Sequence, residues 1–122
     1  MKKYYDVIYK IFDLLQTIED GLVYIQDKMK ELKIEEAFQI LNDIICGMES
    51  IETAMEPLMK KLIENDLEIR IEYFRESLYA LTYDYKKNNG NYIMKILEFQ
   101  VFPCFNRWKT QLENCLRPYV LS

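Results

Sequence analysis

The strongest constraint on the fold of this chain is the spacing of its apolar residues, which recur at steps of three and four along most of its length. Four such runs extend from Tyr5 to Leu32, from Ala37 to Leu62, from Leu67 to Tyr85 and from Ile93 to Leu116. Steps of three and four place side chains on one face of an α-helix. The four runs therefore predict four amphipathic helices whose apolar faces are buried against one another.

The segments between the runs carry signals for helix ends. Lys30 and Lys33 suit the negative end of a first helix, and the second begins near Ile34. Asn65, with a glutamate three positions later, predicts a capping box at the start of the third helix. The string Asn88-Asn89-Gly90-Asn91 predicts a turn before the fourth. Such short connections favour antiparallel neighbours.

Two prolines fall inside the predicted helices, Pro57 in the second and Pro103 in the fourth. A proline cannot donate to the carbonyl four residues earlier, and its ring crowds that carbonyl, so each is expected to kink its helix. The chain is long enough for one domain of ordinary size. We therefore predict an all-α fold, a four-helix up-down-up-down bundle made of two helical hairpins, kinked at Pro57 and Pro103, over residues 1–122 as a single domain.

Charge and cysteine content indicate the cellular compartment and exclude some classes of binding partner. The chain has 16 Lys and Arg against 20 Asp and Glu, a net charge of −4, with both signs interleaved. It lacks the basic face of a nucleic-acid binder, and no stretch is apolar enough for a membrane span. Cys46, Cys104 and Cys115 have no metal-binding spacing and indicate free thiols in a reducing compartment. We therefore expect a cytoplasmic protein without nucleic-acid or membrane partners.

The absence of histidine excludes most catalytic chemistry. Histidine-ligated metals and histidine-dependent triads cannot form in a chain that has none. The three glycines are isolated, so no glycine-rich loop can cradle a phosphate. Cys104 and Cys115 lie within the apolar pattern of the fourth helix, where buried thiols are inert. We expect no catalytic residue, no metal and no cofactor, and hence a protein that is not an enzyme.

Five residues with large apolar side chains lie outside the predicted core faces of the third and fourth helices. On a regular fourth helix Ile96, Phe99 and Phe102 point away from the apolar stripe, and on the third helix Tyr79 and Tyr83 lie opposite the main seam. Two interpretations remain open. The kink in the fourth helix could turn Phe99 and Phe102 inward by changing the helix phase. Alternatively, the five residues form an exposed patch that binds a partner helix or a second copy of the chain.

Two longer strings combine packing residues in a distinctive order. They are Ala37-Phe38-Gln39-Ile40-Leu41 continuing to Glu56-Pro57-Leu58, and Phe102-Pro103-x-Phe105-x-x-Trp108 continuing to Arg117-Pro118-Tyr119. In these strings the chain resembles small uncharacterised helical proteins of low-GC Gram-positive bacteria over most of its length, a resemblance that implies no function. In size, acidity and helicity the chain is also similar to flagellar and secretion export chaperones.

The off-face residues and the missing catalytic groups lead to three functional hypotheses. The first is a non-enzymatic cytoplasmic module, an adaptor or export chaperone, that binds a protein through its third and fourth helices with the five residues above. The second is a bundle that holds a small apolar ligand in its core, lined by Met48, Met55, Met59 and Trp108. The third is a structural protein that associates with itself.

Overall fold

A computed structural model describes residues 4–120 of the protein. These residues form four long helical segments, which we call rods. In chain order the elements are α1 (Tyr5–Lys30), α2 (Ile34–Gln39), α3 (Leu41–Met59), α4 (Leu67–Asn88), α5 (Ile93–Ile96), a π turn (Leu97–Val101), α6 (Phe102–Leu116) and a short 3-10 turn (Arg117–Tyr119). The second rod combines α2 and α3, and the fourth combines α5, the π turn and α6. No strand occurs in residues 4–120. The predicted all-α bundle is confirmed.

Helices α1 and α3 form the first hairpin, and two glycines let them approach closely. A Cβ atom on Gly21 of α1 would lie 3.0 Å from Cγ1 of Ile44, and one on Gly47 of α3 would lie 3.2 Å from Cγ1 of Ile18. The later residue of α1 meets the earlier residue of α3, so these two helices run antiparallel. Because the spaces beside both glycines are already filled by isoleucine side chains, the two backbones pack at short range.

Helices α4 and α6 form the second hairpin around three aromatic side chains. Phe74 of α4 stacks on Trp108 with ring centroids 5.3 Å apart, and its centroid lies 5.4 Å from that of Phe105. None of the three is more than 1% exposed. Near the start of α4, Gln111 Nε2 of α6 donates a hydrogen bond to Asp66 Oδ1 at 2.9 Å. The aromatic cluster is therefore the centre of the core in this hairpin.

A buried carboxylate organises the connection between α4 and α5. Asn89 and Gly90 have φ angles of 55° and 77°, so the turn predicted between the third and fourth helices is present. Asp84 is 2% exposed, and its Oδ2 accepts a hydrogen bond from the Tyr92 N–H at 3.0 Å. Its Oδ1 accepts a second hydrogen bond, from Asn88 Nδ2 at 3.3 Å. Asp84 thus joins the last turns of α4 to the start of α5.

The second and fourth rods differ from the continuous helices that the sequence predicts. The second breaks at Ile40 and ends at Met59, which leaves Pro57 in the last turn of α3. In the fourth rod the π turn is followed by Phe102 and then by Pro103, which lies in the first turn of α6. A proline is tolerated in a first turn, where its missing N–H is least needed. The bends at the two prolines and the up-down-up-down order of the whole bundle stay predictions.

The π turn has a cause in the sequence. Ile93, Leu97, Val101 and Phe105 are four residues apart, and none is more than 2% exposed. On a regular α-helix each step of four advances the side chain by roughly 40°, so three steps would carry it about 120° around the helix. A π turn contains more residues than an α-helical turn. It therefore keeps all four residues on the buried face.

The start of α4 is capped differently from the predicted capping box. Asp66 is the N-cap residue, and Oδ1 of Asn65 accepts a hydrogen bond from the Leu67 N–H at 3.0 Å rather than from the N–H of Glu68. The carboxylate of Asp66 is instead turned toward α6. There the hydrogen bond from Gln111 lowers the pKa of Asp66. The start of α4 is thus tied to α6.

Replacing Leu32 by glycine is expected to stabilise the protein. Leu32 follows α1 with a φ of 60° and is 83% exposed. This conformation lets the Lys33 N–H close the helix end by donating to the Lys28 carbonyl at 2.8 Å. A residue with a Cβ atom is strained in it, whereas glycine is not. We expect Leu32→Gly to raise the free energy of unfolding by about 1 kcal/mol in urea denaturation.

Leu32→Ala is the matched control for this strain. It removes the exposed side chain but keeps the Cβ atom, so we expect no comparable gain in stability. Equal stabilities of the glycine and alanine variants would show that the backbone at Leu32 carries no significant strain.

Candidate functional site

A cleft of about 460 Å³ lies between α3 and α4, the adjoining helices of the two hairpins. α3 contacts α4 less extensively than it contacts α1, so these two helices are not closed against each other along their length. The apolar floor consists of Ile51, Met55, Leu67, Ile71, Trp108 and Leu112. The rim is acidic and consists of Glu52, Glu56, Glu68 and Glu72. The cleft therefore combines an apolar floor with negatively charged edges.

The sequence of each helix explains this division into floor and rim. On α3 two apolar residues one turn apart, Ile51 and Met55, are each followed directly by a glutamate. α4 repeats the pattern at Leu67 and Ile71. Neighbouring residues on a helix point about 100° apart. Each helix thus directs an apolar edge to the floor and a row of carboxylates to the opening.

Arg75 closes one end of the rim. Its guanidinium bonds the carboxylates of Glu52 on α3 and Glu72 on α4, and so joins the two helices across the cleft. Toward the other end, Glu56 and Glu68 form no salt bridge to any residue in the range 4–120. The negative charge of the cleft is therefore concentrated at Glu56 and Glu68.

Three of the four residues predicted to line a small-ligand site meet in the cleft. Met55, Met59 and Trp108 line it, whereas Met48 is fully buried in the core and does not. The space that these residues share opens between two helices, whereas the sequence predicted an interior site.

The five predicted partner-binding residues differ in their exposure. Phe99, in the π turn, is 70% exposed, and Tyr83 and Tyr79 on α4 are 63% and 52% exposed. Ile96 and Phe102 are half-buried and pack against the core. The outward direction expected on a regular helix is thus corrected at Ile96 and Phe102, because the π turn shifts the helix phase between them.

Phe102 lies on a different side of the bundle from the two tyrosines. Lys109 is two turns further along the same face of α6, and its Nζ bonds Glu19 of α1 at 2.6 Å. The face of α6 that carries Phe102 is therefore directed toward α1. The five residues do not form one continuous patch.

Tyr79 and Tyr83 continue the α4 edge of the cleft. Tyr79 lies one turn after Arg75, which bonds α3, and Tyr83 lies one turn further. Each step of four advances a side chain by roughly 40°, so Tyr79 stays close to the Arg75 edge and Tyr83 points about 80° away from it, further toward solvent. From Glu68 to Tyr83 this edge is about 22 Å long, or about four helical turns. We refer to the cleft together with Tyr79 and Tyr83 as the α3–α4 surface.

The two cysteines of α6 lie in surroundings that disfavour the reactive thiolate, since burial raises the pKa of both Cys104 and Cys115. Across residues 4–120, no group of cysteine and acidic side chains is arranged to hold a metal ion. Within the same part of the chain, every helix is too short or too polar to cross a membrane.

Comparison with protein families gives a match over residues 6–111, to a family described as a domain of unknown function, DUF8042. The match includes α1 to α4 and most of α6, and so contains both hairpins. Comparison with curated proteins and with solved structures gives no match. The resemblance to helical proteins of low-GC Gram-positive bacteria stays a prediction. The chain belongs to the family defined by the domain of unknown function DUF8042.

Proposed function

We propose that this protein is a non-enzymatic cytoplasmic module, an adaptor or export chaperone, that binds a helical segment of a partner protein along the α3–α4 surface. The observation that carries the proposal is the open cleft with an apolar floor between the two hairpins. Amphipathic helices bind in such grooves through apolar residues spaced three, four and seven apart. A helix seated there would cover the cleft and the exposed rings of Tyr79 and Tyr83.

The dimensions of the α3–α4 surface support a helical partner. Its length of about 22 Å accommodates about four turns of a bound helix, and the cleft receives the apolar side chains of the turns nearest to it. Beyond the cleft, Tyr79 and Tyr83 offer broad apolar rings whose hydroxyls can stay hydrated, as tyrosines do at many interfaces. The surface therefore suits an extended contact better than a single inserted side chain.

Two methionines make the surface adaptable. Met55 and Met59 line the cleft one turn apart on α3. Methionine has an unbranched, polarisable side chain that can repack around differently shaped apolar groups, and it is common at surfaces that bind several partners. This property suits an adaptor or a chaperone.

Site-specific photo-crosslinking in cells tests the proposal. A photoreactive phenylalanine analogue at Thr53, which lines the cleft, or at Tyr79 is expected to form adducts with a partner protein. Tyr9 on α1 is the matched control, since it is 51% exposed and Tyr79 is 52% exposed. We expect no adduct from position 9, because a helix on the α3–α4 surface lies beyond its reach.

Other crosslinking patterns would assign other functions. Adducts from Phe99 alone would place the interface at the π turn, within the patch that the sequence predicted. Adducts between two copies of the chain would support the self-associating structural protein. Adducts from Tyr9 alone would contradict binding at the α3–α4 surface.

A small apolar ligand in the same cleft is the second candidate, and Met55, Met59 and Trp108 favour it because they line one space. The volume of about 460 Å³ lies within the range of roughly 300 to 1,000 Å³ typical of ligand pockets. In that case a bound compound changes the fluorescence of Trp108, and crosslinks from Thr53 and Tyr79 to a protein are absent.

A further inference from the structure

We propose that the helical segment bound at the α3–α4 surface is basic, with lysine or arginine side chains that pair with Glu56 and Glu68. The inference rests on the proposed function, because it names the chemistry of the partner at that same surface. The apolar floor alone would accept the apolar face of any amphipathic helix. The charged rim is what distinguishes one such helix from another.

The charge around the apolar floor is one-sided. Four carboxylates form the rim, and the guanidinium of Arg75 is bonded to two of them, Glu52 and Glu72. Glu56 and Glu68 are exposed and lie on opposite sides of the cleft, one on α3 and one on α4. A cation placed between them is attracted by both carboxylates, whereas a further carboxylate placed there is repelled by both. The rim therefore selects for positive charge.

The position of these carboxylates beside the floor fits lysine and arginine in particular. Glu56 and Glu68 line the same cleft as Met55 and Leu67, so each carboxylate lies at the edge of the apolar floor. Lysine and arginine have long aliphatic stems that pack on apolar surface while the charged end reaches a polar edge. A basic side chain can therefore cover the edge of the floor and reach the rim at once.

The matching partner has a defined pattern. Its apolar residues recur at steps of three and four and face the floor, and basic residues flank that stripe on both sides. An acidic amphipathic helix has the same apolar stripe but places like charges against the rim. The two helix types differ only in the charge of the flanking residues, which makes a direct comparison possible.

Trp108 provides a readout of occupancy through its packing, because it is the only tryptophan in the chain, lines the cleft and is 1% exposed. The probe is a synthetic helical peptide of leucine, lysine and alanine, about 18 residues or five turns long. A second peptide has glutamate in place of every lysine. We expect the lysine peptide to bind in calorimetry and to change Trp108 fluorescence, with an affinity that falls as salt is added. The glutamate peptide is expected not to bind.

Three double variants assign the charge preference to the rim. Glu56→Gln with Glu68→Gln keeps the side-chain shapes and is expected to weaken binding of the lysine peptide about tenfold. Glu35→Gln with Glu98→Gln removes the same net charge at exposed positions away from the cleft, and is expected to leave the affinity unchanged. Glu56→Lys with Glu68→Lys is expected to bind the glutamate peptide instead. Thermal unfolding of each variant confirms that it is folded.

The outcomes that would overturn the basic partner can be distinguished from those that would overturn the proposed function. Equal binding of both peptides, unaffected by the glutamine substitutions, would overturn the basic partner and leave the α3–α4 surface as a binding site. Binding of neither peptide would also overturn it, and the crosslinks from Thr53 and Tyr79 would then decide the proposed function alone. If spermidine reproduces the fluorescence change with the same dependence on Glu56 and Glu68, the cleft binds a small polycation and the inference is wrong.

Discussion

Replacing Phe74 by alanine is expected to lower the free energy of unfolding by about 3 to 5 kcal/mol. Phe74 is fully buried, and its ring contacts both Trp108 and Phe105 of α6. Without the ring, a cavity remains between α4 and α6 that the neighbouring side chains can only partly fill. Urea denaturation followed by circular dichroism measures the loss.

Phe99→Ala is the matched control, because it makes the same chemical change at a side chain that is 70% exposed. Its stability is expected to stay within about 0.5 kcal/mol of the unmodified protein. A large loss at Phe99 would contradict its outward position in the π turn. A small loss at Phe74 would contradict the aromatic cluster as the centre of the second hairpin.

Replacing Asp84 by alanine is expected to lower the free energy of unfolding by about 2 to 3 kcal/mol. The substitution leaves the N–H of Tyr92 without its acceptor and removes the hydrogen bond from Asn88. An amide N–H that loses its acceptor away from water lowers the stability by more than the hydrogen bond had contributed. Asp84→Asn keeps one acceptor oxygen for the Tyr92 N–H, so we expect it to lower the free energy of unfolding by less than Asp84→Ala does.

Amide hydrogen exchange at Tyr92, measured by nuclear magnetic resonance, localises this effect. The Tyr92 amide is expected to exchange faster in Asp84→Ala than in Asp84→Asn, because only the asparagine can still accept its hydrogen bond. Unchanged exchange in the alanine variant would show that the Asp84 carboxylate does not hold the start of α5.

The long helices could be predicted because their cause is local. The apolar face of α1 or α4 repeats within a single stretch of sequence, so its periodicity is visible without knowledge of any neighbour. The break at Ile40 has no such signal. It separates α3 from α2, where Phe38 stacks on Tyr85 of α4 with ring centroids 3.9 Å apart. That contact joins distant parts of the chain, and no local pattern contains it.

The π turn could be predicted in part, unlike the long helices, which have a clear local signal, and the break at Ile40, which has none. Its signal is present in the sequence as an unbroken series of four-residue steps from Ile93 to Phe105, which drifts off the face of a regular helix. Over the same residues Pro103 predicts a kink in an otherwise regular helix, because a proline is the commoner cause of an irregular helix. Phase drift over several steps of four is therefore an indicator of a widened turn.

The candidate site could be predicted only in parts. Composition singled out Met55, Met59 and Trp108, and helix phase singled out Tyr79 and Tyr83. The glutamates of the rim are indistinguishable in sequence from ordinary solvated charges. Which face of α3 meets which face of α4 is decided by tertiary packing. The sequence therefore contains the components of the α3–α4 surface but not their arrangement.

The close approach of the backbones at Gly21 and Gly47 packs α1 firmly against α3, since an isoleucine side chain fills the space beside each glycine. The aromatic cluster does the same for α4 and α6. The cleft lies between these two units, and its floor residues belong to one core that both hairpins share, so a ligand that widens the cleft has to separate side chains of that core. Opening of the bundle is therefore resisted at several places at once, by this shared packing, by the bonds of Arg75 across the cleft, by the salt bridge of Lys109 with Glu19 and by the stacking of Phe38 on Tyr85.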